Sequence, residues 1–138
     1  MPLKIYINQD VPITNSRSIK TALVHAARVV GSRNKHYRVS VTFTTDQAIR
    51  MLNRRFRFRD KATDVLSFPM GEEGMLGDII ISVPTARKNA ELFGSTLSIE
   101  LKRLAVHGIL HLFGYTHKTV KEKSIMSALA DTILKAKG

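Results

Sequence analysis

Three of the chain's five histidines fall in one short segment, His107-Gly-Ile-Leu-His111-Leu-Phe-Gly114-Tyr-Thr-His117. His107 and His111 are four residues apart, so on a helix they lie one turn above the other on one face and both imidazoles can reach a single ion. Gly114 stands where such a helix would stop in a left-handed C-cap, a turn that can swing His117 back toward the same point. Three neutral imidazoles leave a fourth position open. That is the layout of a catalytic zinc site, in which the metal lowers the pKa of a bound water toward ~7. Neutral nitrogen ligands suit zinc, whereas an all-oxygen set would suit magnesium. The plain alternative is three unrelated histidines, one capping a helix and two packed in a core. The helical spacing, the intervening glycine and the absence of cysteine weigh against it.

A second constellation is cationic. Arg50, Arg54 and Arg57 recur at helical spacing as one basic stripe, and Arg55, Arg59 and Lys61 extend it with Phe56 and Phe58 interleaved. A charge run of this kind can be a solvated helix face. Lys and Arg outnumber Asp and Glu by 22 to 11, for a net charge of +11, and no acid interrupts the run before Asp60. Arg50, Arg54, Arg55, Arg59 and Lys61 are therefore candidates for binding the phosphates of a nucleic acid.

The spacing of the three histidines and the glycine is also that of the metzincin peptidases. Their general-base glutamate would fall at Gly108, which can transfer no proton. The segment instead resembles the YbeY-type bacterial endoribonucleases, which act in ribosomal RNA maturation and whose signature reads His-Gly-x-Leu-His-Leu-x-Gly-Tyr-Asp-His. It departs at Thr116, where the family has an aspartate suited to orienting a ligating histidine. A second stretch, Leu52-Asn53-Arg-Arg-Phe56-Arg57 followed by Thr63-Asp64-Val65-Leu66-Ser67-Phe68, is similar to the family's other signature, and Gly77-Asp78-Ile79-Ile80-Ile81 matches a third motif.

The resemblance implies a zinc-dependent endoribonuclease acting on single-stranded ribosomal RNA during ribosome maturation, with the ribosome or its RNA as partner. His107, His111 and His117 would hold one divalent ion, and His107 would thereby take part in catalysis. Arg57 matches the family's functional arginine, which would stabilise charge on the phosphoryl oxygens. Two other readings stand beside this one. One is a non-catalytic RNA-binding assembly factor whose metal is structural; the other, disfavoured by Gly108, is a metallopeptidase.

A length of 138 residues suits one domain able to bury a core without staples. With no cysteine there is no disulfide framework or thiolate site, which fits a reducing compartment. No run is long and apolar enough to span a bilayer, and the N-terminus alternates rather than forming a leader. A cytoplasmic protein without membrane association is expected.

The elements that must position these residues follow from periodicity. Leu3 to Asn8 alternates as a strand, Asn15 or Ser16 opens a helix that Gly31 ends, and Tyr37 to Thr44 is a second strand, joined by a parallel, right-handed crossover. Thr44 to Gln47 reads as a capping box for a helix to about Phe56. Val65 to Phe68 is a short buried strand, with Asp64 at its end rather than in catalysis. Leu76 to Ser82 is the fourth strand, on which Asp78 could face the site or a turn. Pro84 starts a helix to about Phe93. Ser98 caps the histidine helix, which is so apolar that it should be central and buried, and Thr119 to Glu122 forms a capping box for a last helix. His25 reads as a surface or packing residue, His36 belongs to a basic loop, and Glu72 and Glu73 to a solvated one. The fold class is α+β, one domain over 1–138 with a four-stranded mixed sheet and about five helices around the metal-binding helix.

Overall fold

Alternating apolar and polar residues form strands β1 (Leu3–Gln9) and β2 (Tyr37–Thr44), which pair in parallel across the helix α1 (Ser16–Val30). The computed structural model describes residues 3–32 and 34–135, so Arg33 of the basic loop lies outside them. Beyond β2 come α2 (Asp46–Arg57), β3 (Val65–Pro69), β4 (Met75–Ser82), α3 (Val83–Leu92), α4 (Leu97–Leu112) and α5 (Val120–Lys135). The sheet order is β1-β2-β4-β3, with β4 parallel to β2 and β3 antiparallel at the edge. The described residues thus form the expected α+β fold with a mixed four-stranded sheet and five helices.

The sheet sends Val39, Val41, Phe43, Ile79 and Ile81 into one core with Ile19, Leu23 and Ala26 of α1 and Leu101, Leu104, Ala105 and Ile109 of α4. Each fully buried large side chain contributes ~2 kcal/mol through apolar area removed from water. The histidine helix α4 is therefore as central as its apolar composition requires. Gly108 explains itself here. A Cβ at that position would stand 2.7 Å from Cγ2 of Ile79, so α4 rests directly on β4. Glycine's loss of helix propensity is the cost of that close approach.

Three helix starts differ from the sequence reading. Thr44 remains in the β2 ladder opposite Ser82, so the first free hydroxyl belongs to Thr45, which accepts from Ala48 N–H at 3.2 Å and caps α2. Thr96, not Ser98, caps α4, its hydroxyl accepting from Ile99 N–H at 3.2 Å. Ser98 lies inside the first turn, where its carbonyl accepts the Asn15 side-chain amide at 2.8 Å. That bond takes the Asn15 amide away from its own helix and ties the start of α1 to the start of α4. Ser82 caps α3, which places Pro84 second in the helix, after Val83.

Candidate metal centre

The end of α4 is built to reverse the chain. Tyr115 N–H donates to Leu110 C=O at 3.0 Å and Gly114 N–H to His111 C=O at 2.9 Å, with Gly114 at φ 100°. This is the Schellman pairing, which needs a left-handed residue and so favours glycine. The reversal brings His117 back to the helix. Its ring meets that of His111 edge to face, with centroids 5.0 Å apart. His107 and His117 together line a cavity of about 220 Å³ closed by Lys123, Met126 and Ser127 of α5.

Burial, followed by the positive charge of Arg103 and then of His111, pushes the His107 pKa below 6.5. Burial, and after it His117, lowers that of His111, against a hydrogen bond to the Tyr115 carbonyl that opposes the change. Both helical imidazoles are thus biased toward the neutral form, the only form that can ligate a metal. Among the described residues no three His, Cys, Asp or Glu side chains converge as a preformed coordination group. The three histidines are neighbours with the right donor chemistry: His107 and His117 share the cavity, His111 meets His117, and three imidazole nitrogens fit a divalent ion.

A polar network that sequence reasoning missed supports the same face of α4. Glu100 is buried, 3% exposed, and receives Arg103 in a fork: Nε donates to Oε1 at 2.8 Å and Nη2 to Oε2 at 2.6 Å. The Asn89 amide donates to Glu100 and to Asp64, each at 3.2 Å. Glu100 and Arg103 stand three apart, a spacing visible in the sequence. Their burial was not. Asp64 holds the end of β3, its Oδ1 accepting from Val65 N–H at 2.8 Å, which agrees with its reading as a ladder-end residue.

Arg57 reaches the same neighbourhood from another element. Its Nη2 donates to the Ser67 carbonyl at 2.5 Å, and its guanidinium lies 5.2 Å from the centre of the Phe68 ring. On the other side of the strand the Ser67 hydroxyl donates to the Gly108 carbonyl at 3.3 Å, the residue after His107. One serine therefore bridges the arginine helix and the histidine helix.

Residues 5–138 match the family model described as endoribonuclease YbeY. The chain belongs to that family. It is 40% identical to the endoribonuclease YbeY of Persephonella marina, over 94% of this chain and 90% of the relative. Against that of Geobacillus thermodenitrificans it is 42% identical, over 81% of this chain and 80% of the relative. The solution structure of TM1509 from Thermotoga maritima superposes with a TM-score of 0.68 at 29% identity, covering 96% of this chain and 87% of that one.

Within this YbeY-family framework the remaining candidates separate. Arg54, Arg55, Arg59 and Lys61 are exposed along α2 and the loop after it. Arg50 is exposed too but is engaged with Asp60, Nε to Oδ1 at 2.8 Å and Nη2 to Oδ2 at 3.2 Å. Asp78 pairs with Phe68, so it points to the face opposite Ile79 and α4 and away from the histidines. Thr116, where the family signature has aspartate, donates its hydroxyl to the Glu122 carboxylate in the first turn of α5. His25 lies apart, on a groove lined by Thr21 and Lys102.

Proposed function

We propose that the chain is a metal-dependent endoribonuclease that cuts single-stranded ribosomal RNA during ribosome maturation in the cytoplasm. The observation that supports this reading is Ser67, whose carbonyl accepts from the exposed Arg57 guanidinium while its hydroxyl donates to Gly108 of the helix that bears His107 and His111. In it, His107, His111 and His117 hold one divalent ion, and zinc best suits their neutral nitrogens. When bound, such an ion supplies a Lewis acid and an activated water. Arg57 spends one N–H on Ser67 and keeps the others for a phosphate, whose developing charge a guanidinium can meet bidentately. Arg54, Arg55, Arg59, Lys61 and, more weakly, Arg50 hold the strand through its other phosphates. Lys118, Lys121 and Lys123, which follow His117 in the chain, add further positive charge.

Elemental analysis of the purified protein, read beside cleavage of single-stranded RNA, tests the reading. One tightly held metal per chain should be lost in a His107→Ala, His111→Ala double substitution and cleavage should go with it, while His25→Ala and His36→Ala leave both intact. Undiminished metal in the double variant would sink the ligand assignment. If the metal-loaded protein yields no cleavage product and chelation does no more than lower the melting temperature, the metal is structural and the RNA-binding assembly factor becomes the better description.

A further inference from the structure

Phe58 ends α2 in a left-handed conformation that glycine usually supplies at such a place. Its backbone is left-handed, with φ 58° and ψ 31°, the only non-glycine residue at positive φ among those described. A bulky side chain there is strained. Its ring is 90% exposed, so packing does not compensate. The strain is imposed from outside by Asn53, which is buried at the base of the loop. The Asn53 carbonyl accepts from both Phe58 N–H and Arg59 N–H, and its amide donates to the Lys61 carbonyl at 2.9 Å. The loop thus holds an aromatic ring out in solvent, between Arg57 and Arg59 and next to the half-exposed Phe56, which carries Arg55 5.4 Å over its ring.

We propose that Phe58 is a stacking platform for an unpaired nucleobase of the strand whose phosphates the neighbouring arginines bind. The chemistry favours this occupant: a flat apolar ring framed by cations matches a chain of alternating bases and phosphates, and stacking accepts any base. The subsite rests on the nuclease reading above. It adds that the strand enters past the C-terminal end of α2, with one base splayed onto Phe58 beside the phosphate held by Arg57. Strain maintained without a packing return is the usual mark of a residue kept for binding.

The test uses the metal-loaded protein and a short single-stranded RNA whose ribose hydroxyls are methylated, together with the same backbone lacking its bases. Phe58→Gly should weaken binding of the complete strand about tenfold or more. It should leave the abasic strand's affinity unchanged and raise the thermal midpoint, because glycine relieves the left-handed strain. Phe58→Trp should restore affinity. The chain has no native tryptophan, so quenching of the new indole emission by the strand reports stacking at this position alone. Equal affinity of the glycine and tryptophan variants, with no quenching, overturns the proposal and turns the patch toward a protein partner. If that occurs while the protein holds metal and cleaves RNA, the nuclease reading stands without the subsite. A wild-type protein that binds neither strand removes both.

Discussion

At the scale of single residues, the consequential distinction is between Arg57 and the cations around it. All are exposed, yet Arg57 alone is fastened to the strand that touches the histidine helix. If it meets the reacting phosphate, Arg57→Ala lowers the single-turnover cleavage rate at saturating RNA by about 10²-fold, with affinity changed by well under tenfold. Arg57→Lys recovers little, since an ammonium cannot reproduce the planar fork. A variant that binds weakly but cleaves at the full saturated rate would reduce Arg57 to a phosphate anchor. The helix that carries His107 and His111 and its stop at Gly114 were legible because both depend on local spacing, whereas Arg57 was singled out by the family resemblance alone. Glu100 was not legible. Only the folded chain shows it buried beneath Arg103 and Asn89. Arg50 was read as one of a stripe, because its partner Asp60 lies beyond the end of the helix.

The elements themselves follow from periodicity, and the misreadings cluster at their ends. Thr44 and Ser98 are as good capping residues as Thr45 and Thr96; a strand ladder distant in sequence takes Thr44, and Ser98 falls inside the turn that Thr96 opens. A glycine inside so apolar a helix leaves open what approaches it, and the fold shows that β4 does. Gly108→Ala gains helix propensity of about 1 kcal/mol yet drives a methyl into the β-branched side chain of buried Ile79. The net result should be a loss of about 1 to 3 kcal/mol, measured by urea unfolding, with part recovered in the Gly108→Ala, Ile79→Ala double variant. The seating of α2 has a pH signature. The Asp46 carboxylate accepts from the hydroxyls of Ser82 and Thr85, each at 2.5 Å, and these bonds, Ser82 first, hold its pKa below 3.8. A depressed carboxyl contributes stability that is full above its unfolded pKa and is lost as pH falls through the folded value. The difference in melting temperature between the wild type and Asp46→Asn should thus be constant near neutrality and shrink below pH 3.8.

For the molecule as a whole, the net charge of +11 makes RNA affinity a function of ionic strength. Replacing Arg54 or Arg59 with glutamine should reduce the slope of log affinity against log salt by about one unit per lost phosphate contact. Arg50→Gln should change it least, because Asp60 already occupies that guanidinium. An affinity indifferent to salt would leave stacking as the main source of binding. The same molecule must also keep its open sheet from pairing with copies of itself, and β3 is one of its two edges. Asp64 and Ser82, and likewise Met70 and Leu76, are bonded across the ladder, so alternation turns the backbone groups of Val65, Ser67 and Pro69 outward. Val65 N–H is taken by Asp64, proline has no N–H to offer, and the Ser67 carbonyl is taken by Arg57. Beyond the phosphate role proposed for it, Arg57 therefore also blunts the edge against aggregation. A chain that dispensed with cleavage would still have reason to keep the residue.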